Sequence, residues 1–231
     1  MTETDPLRAA ADTMREVRDR CVWTQQIDHR ALVPYLVEES AELIDAVETG
    51  SRTELREELG DLLWQVLFHS EIASRDPDAP FDIDDVARGL TEKMVRRHPH
   101  VFAGEVAETP EQVLVLWNAA KAAEKHERTS VLDGVSERMP SLALAQKLLG
   151  KAAQVRVAMP KQGTPAETGG DDPRLSPDAL SRHGDPRTEA ELGDALLALV
   201  AAARSNGWDA ERALRERLRG LDAEIRTAEQ A

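Results

Sequence analysis

The sequence predicts an all-α protein. Ala, Leu, Glu and Arg dominate its 231 residues, charged residues make up 31% and aromatics only 3%, a balance that favours helix over sheet. The β-branched and aromatic runs that strands need are nearly absent. Apolar residues recur instead at helical spacing along most of the chain.

Taken in order, Leu7, Ala10, Ala11, Met14 and Val17 place a first helix over residues 6–20. The segment CVWTQQIDHR connects it to a second helix, capped by Asp28 and running to about Val47, with Pro34 near its start, where a proline costs least. Gly50 closes that helix. Ser51 and Glu54 have the spacing of a capping box and open a third, over residues 52–74. DPDAPFD is a loop, and Asp82 caps a fourth helix to about Arg97, which HPHVFAG breaks. Thr109-Pro110-Glu111 starts a fifth helix through Lys125, and Ser141 starts another to about Val157. Residues 161–187, crowded with Gly, Pro and Asp and without a sustained period, read as a flexible linker. Helical pattern returns over residues 188–205 and 209–229.

One heptapeptide recurs: EELGDLL over residues 57–63 returns as AELGDAL over residues 190–196. Each copy tolerates a mid-helix glycine, Gly60 or Gly193, at a cost of about 1 kcal/mol relative to alanine. This suggests close helix–helix approach there and duplication of a helical unit.

The formal net charge of -14 argues against nucleic acid or an anionic membrane as partner, since neither tolerates such a surface without a basic stripe. A small phosphate ligand is still allowed, because a bound divalent metal inverts the local charge. Cys21 is the single cysteine, so no intrachain disulfide can form, and a reducing compartment fits. The N-terminus lacks a signal-like pattern and no apolar run reaches membrane-span length, so a soluble cytoplasmic protein is expected.

The strongest chemical signal is acidic. Glu38-Glu39 with Glu42 lies on the second helix, and Glu57-Glu58 with Asp61 on the third. Residues three apart share a helix face, so two carboxylate pairs can converge across the short connection at Gly50. A solvated acidic face is the plainer reading. Two features argue against it. No Lys or Arg occurs between Arg30 and Arg52, although five acidic residues do. The stripe Glu54, Glu57, Glu58, Asp61 also borders the apolar stripe Leu55, Leu59, Leu62, Val66, which would part-bury its inner members. Like charges gathered there resist ionising unless a cation neutralises them, and hard carboxylate oxygens suit magnesium or manganese. Lys93 and Arg97, four apart near the end of the fourth helix, could meet a phosphate chain, although basic residues at a helix C-terminus also simply favour the macrodipole.

Residues 17–157 resemble the MazG nucleotide pyrophosphohydrolases, with a weaker resemblance over 188–229. It is carried by CVWTQQIDHRALVPYLVEESAEL, REELGDLLWQVLFHSEIA, EKMVRRHPHVFAG, Trp117 followed by NAAKAAEK, and SVLDGV followed by LALAQKLLGKAAQV. The resemblance implies a helical bundle completed by dimerisation and Mg²⁺-dependent hydrolysis of nucleoside triphosphates to monophosphate and pyrophosphate, as nucleotide-pool house-cleaning. It implies Glu39, Glu42, Glu58 and Asp61 as metal ligands, with Mn²⁺ as an alternative ion, and Glu38 and Glu57 as accessory acids. Glu38 is the candidate for orienting the water. Lys93 and Arg97 would contact the triphosphate, and Trp23 or Trp117 would line the base pocket. The expected organisation is a catalytic domain over residues 1–128, a connecting helix over 129–160, the linker, and a second unit over 188–231. That unit keeps Glu191 and Asp194 but lacks a first acidic helix, so it reads as a degenerate remnant. The rival reading is a helical module that senses nucleotides or scaffolds a partner without turnover.

Overall fold

The computed structural model describes residues 5–124, 129–157 and 186–230; the expected linker lies outside them from residue 161 to 185. Among the described residues the chain is all-α. Nine helices run α1 (Pro6–Arg20), α2 (Val33–Glu48), α3 (Arg52–Ala73), α4 (Ile83–Arg97), α5 (Pro99–Phe102), α6 (Pro110–Glu124), α7 (Ser141–Gln154), α8 (Glu189–Ser205) and α9 (Ala210–Glu229). None of them is long and apolar enough to cross a membrane. The chain divides into two compact units, residues 1–125 and 126–231.

Side-chain caps set most of the boundaries. Ser51 and Glu54 form the expected capping box of α3 and Asp82 and Asp85 that of α4, while Thr188 and Asp209 cap α8 and α9. Losing such a cap costs about 1 kcal/mol. The start of α2 differs from expectation. Asp28 accepts from the Ala31 N–H at 2.8 Å and so closes a turn, and the helix begins only after Leu32, which gives no side-chain cap. The HPHVFAG stretch is also more ordered than a simple break, since it holds the one-turn helix α5.

In the first unit α3 is the central element, contacted by α1, α2 and α4, while α6 packs on α4 and α5. Its core is Ala11 and Met14 of α1, Leu32, and Leu67 and Phe68 of α3, with Ile27, Trp64, Ile72 and Ile83 packed around them. The buried Thr24 hydroxyl, in a short 3-10 turn over residues 24–26, donates toward the carbonyls of Val17 and Cys21, both at 3.0 Å, and pins the connector to α1. The contact of α2 with α3 is the largest between any two helices. Gly50 makes their connection possible: a Cβ there would lie 2.7 Å from the Cα of Ala46.

The mid-helix glycines do not behave as the sequence suggests. A Cβ at Gly60 or Gly193 would meet nothing within 4 Å, so neither is a point of close approach among the described residues. The apolar stripe beside the acids is half open, with Leu59 52% and Val66 40% exposed while Leu55 and Leu62 are half-buried.

In the second unit α7, α8 and α9 pack on one another around Leu149 and Val200. Gln146 of α7 joins it to the start of α9, donating to the Trp208 carbonyl at 3.1 Å and accepting from the Ala210 N–H at 3.3 Å. The helix expected as a connector is therefore part of this unit's packing.

Candidate metal centre and substrate-binding residues

The α2–α3 pair brings carboxylates from both helices to one place. Glu39, Glu58 and Asp61 each offer an oxygen, all within 4.8 Å of one another. Glu39 and Glu58 are half-buried and Asp61 is exposed. Burial, followed by the charges of Asp61, Glu42 and Glu38, pushes the Glu39 carboxyl above its ordinary range, while a hydrogen bond from Gln65 works the other way. Burial pushes the Glu58 carboxyl up as well, and Glu42, Asp61, Glu57 and Glu39 add to it. Glu42 thus stands outside the tight trio, yet its charge acts on both half-buried members. Glu38 and Glu57, both exposed, act on their neighbours Glu39 and Glu58.

Among the described residues, Glu58 Oε2 is buried without a hydrogen-bond partner, and so is Gln65 Oε1. An orphaned carboxylate oxygen is costly unless something positive meets it. Three converging carboxylates with one such oxygen fit a hard divalent cation, whose shell is built from oxygens. Gln65, 5% exposed, escaped the sequence reading, although a signal was there: it sits four residues after Asp61 and seven after Glu58, on the same face of α3.

Lys93 and Arg97 lie on α4. Lys93 is half-buried, and Arg97 is 8% exposed. The Arg97 Nη2 lies 2.6 Å and its Nε 3.1 Å from Glu124 Oε2 of α6, and its Cζ stands 5.2 Å from the centre of the Trp117 ring. The hydrogen bonds from Arg97 hold the Glu124 carboxyl below its ordinary range, with a lesser contribution from Arg96. Trp117 meets His98 edge-on at 5.0 Å. The other candidate tryptophan, Trp23, is 49% exposed and packs edge-on against Tyr35 and Phe68, with ring centres 6.0 and 6.4 Å away. The two tryptophans therefore belong to different aromatic clusters, Trp23 beside the core and Trp117 beside the buried arginine.

A histidine pair also escaped the sequence reading. His29, in the turn before α2, stacks on His69 of α3 with ring planes 8° apart and Nδ1 atoms 2.8 Å apart. One nitrogen must accept, so at least one ring is neutral. Burial, then the nearby His29, lowers the His69 pKa. In the second unit the repeated Glu191 serves the helix start: its Oε2 accepts from the Arg187 N–H at 2.6 Å while its own N–H donates to the cap Thr188.

Residues 27–102, which hold both acidic helices and the start of α4 through α5, match the model of the MazG nucleotide pyrophosphohydrolase domain. An uncharacterized 26.1 kDa protein of Streptomyces cacaoi is 44% identical over 94% of this chain and 80% of its own length. The nucleoside triphosphate pyrophosphohydrolase of Mycobacterium tuberculosis is 42% identical over 91% of this chain, which spans 60% of that relative's length. The enzyme of the same name from Escherichia coli K12 is 31% identical over 99% of this chain and 88% of its own. With the domain match on the acidic helices and a relative aligned along nearly its whole length, the chain belongs to the MazG nucleotide pyrophosphohydrolase family.

Proposed function

We propose that this chain hydrolyses nucleoside triphosphates to nucleoside monophosphate and pyrophosphate, with a divalent cation, Mg²⁺ or Mn²⁺, held by Glu39, Glu58 and Asp61 and supported by Glu42. The observation that carries the reading is the carboxylate trio with its orphaned, buried Glu58 oxygen. When bound, such a cation offsets phosphate charge and makes a water more acidic. The residues of the chain do the rest. Gln65 fixes Glu39 through its amide, keeping one ligand oriented. Glu38, exposed at the edge of the cluster, is placed to orient the attacking water, and Glu57 adds to the negative field. Lys93 and Arg97 receive the phosphate chain, and Trp117, already stacked on Arg97, is better placed than Trp23 to pack beside the substrate.

The working form is a homodimer. Leu59, Leu63 and Val66 of α3 and Val37, Ile44 and Val47 of α2 are exposed in the single chain, and a second copy would cover them. Gly60, with open space beside it, lies within the same α3 segment. Residues 188–230 are a helical remnant in which Glu191 closes the start of α8 with Thr188 instead of holding metal, and house-cleaning of the nucleotide pool in the cytoplasm is the expected role.

The test is hydrolysis of a panel of ribo- and deoxyribonucleoside triphosphates with and without Mg²⁺, products separated by chromatography, alongside Glu58→Ala. Monophosphate and pyrophosphate should form only with metal and vanish in the variant. Release of orthophosphate by a pyrophosphatase-free sample would overturn the scheme, and binding without turnover would make the chain a nucleotide sensor.

A further inference from the structure

Arg97 is a buried cation whose surroundings are specific. Its Nε and Nη2 edge is bidentate on Glu124, at 3.1 and 2.6 Å from Oε2, with Nε also 3.3 Å from Oε1. Trp117 lies against its face with the ring centre 5.2 Å from Cζ. A guanidinium is a planar fork with five N–H donors. Glu124 takes one edge and Trp117 one face, and among the described residues no hydrogen bond engages Nη1.

We propose that Glu124 is a positioning residue for substrate: it clamps the Nε/Nη2 edge of Arg97 so that the Nη1 edge is presented to the triphosphate. The inference rests on the reading above that Arg97 contacts substrate, and adds the group that makes this contact effective. An arginine free to sample its rotamers loses entropy on each binding event, whereas one held by a bidentate carboxylate has already lost it. Burial strengthens the case. At 8% exposure an unclamped guanidinium would be an uncompensated buried charge, which disfavours the very conformation that substrate needs. The opposite role, a carboxylate that substrate must displace, predicts the opposite sign: removing Glu124 would then tighten phosphate binding.

The experiment is a cycle of Arg97→Gln, Glu124→Gln and the double variant, with Glu124→Asp as the conservative change. Each full-length protein is first checked for helicity and melting temperature. The readouts are the Kd of inorganic triphosphate in the presence of Mg²⁺, by calorimetry, and kcat and KM separately for ATP. Arg97→Gln should weaken triphosphate roughly tenfold or more, the scale of one well-placed charge-assisted hydrogen bond. Glu124→Gln should weaken it several-fold and raise KM more than it lowers kcat, with Glu124→Asp recovering part of the loss. In the Arg97→Gln background, Glu124→Gln should add nothing, because it acts through the arginine. If Arg97→Gln leaves triphosphate binding unchanged, the substrate role of Arg97 fails and the proposal falls with it. If Arg97→Gln weakens binding while Glu124→Gln does not, tightens it, or adds its full effect in the double variant, the substrate role stands and the positioning role is overturned. Should Glu124→Gln not fold, Glu124→Asp decides: a carboxylate one methylene short must weaken triphosphate, and an unchanged Kd refutes the clamp.

Discussion

Glu58→Gln should stabilise the metal-free protein and abolish most of its response to metal, so that the order of melting temperatures inverts when Mg²⁺ is added. The reasoning starts from the cluster. Glu58 is half-buried among Glu42, Asp61, Glu57 and Glu39, and its Oε2 has no hydrogen-bond partner among the described residues. Its carboxyl and that of Glu39 are pushed up on folding. A group shifted in that direction contributes its full stability below the unfolded pKa, about 4.3 for glutamate, and loses it as pH rises through the higher folded value. Near neutral pH the metal-free fold therefore carries the whole cost of the crowded carboxylates. Glutamine keeps the shape, supplies a donor and removes one charge, so the variant should melt above the wild type in chelator, with the gap closing as pH falls toward the carboxylate range.

Metal should reverse the order. A cation present at 100 times its Kd stabilises the native state by about 2.7 kcal/mol. The first unit spans 125 residues, and unfolding entropy of about 2.1 cal/mol/K per residue gives it roughly 0.26 kcal/mol/K, so the rise is about 10 °C. The variant, with one ligand lost, should rise far less. Scanning calorimetry of both proteins in chelator and in Mg²⁺, near neutral pH and again near the carboxylate pKa, checks each step. A variant that melts below wild type in chelator, or a metal response equal in the two proteins, would refute the argument that the trio is a strained site waiting for a cation.

Three further outcomes follow from other parts of the molecule. Glu191→Ala and Asp194→Ala should leave pyrophosphate release intact and lower only the melting temperature, because Glu191 is engaged at the start of α8; loss of activity with the fold preserved would show that the second unit holds part of the site. Leu63→Asp, on the exposed face of α3, should convert the proposed dimer to monomer in analytical ultracentrifugation, and an unchanged mass would move the interface elsewhere. The His69 pKa is lowered by burial and by His29, so the stability this pair contributes is full above the unfolded value of about 6.5 and is lost as pH falls below it. His69→Gln should flatten that part of the pH–stability curve, and an unchanged slope would place the titration in another group.

The helices were legible wherever a side chain caps the backbone locally. Ser51, Asp82, Thr188 and Asp209 mark their helix starts within one residue, because the capping hydrogen bond is made two or three positions along the same chain. Asp28 misled for the same reason: an aspartate closes a turn as readily as it caps a helix, and local sequence does not distinguish the two. The carboxylate trio was legible from helical periodicity and one short connection. Contacts between distant parts of the chain were less so. Arg97 and Glu124 are 27 residues apart and His29 and His69 are 40 apart, so these pairs depend on tertiary packing that no local spacing encodes. A lysine- and arginine-rich helix end looks the same whether its charges face water or a buried glutamate. Gly60 has no contact among the described residues that explains it.

The distribution of charge makes a stronger case for an external cation than the acids do alone. The chain carries 43 acidic and 29 basic residues, yet its arginines are not spread at random among the carboxylates. Arg97 is held by Glu124, Arg75 by Glu71 and Asp19, Arg8 by Asp84 and Arg88 by Asp85. Around Glu39 and Glu58 the charges that act are all negative, and the one relieving contact is the neutral Gln65. Among the described residues, folding thus pairs several acids with arginines, Glu124 and Glu71 among them, and gives the half-buried pair Glu39 and Glu58 no such partner. A fold that needed only solubility would put those acids in water, and one that needed only stability would give them an arginine. Holding them together, part-buried and unpaired, makes physical sense when the missing positive charge arrives from outside and can carry a polyphosphate with it.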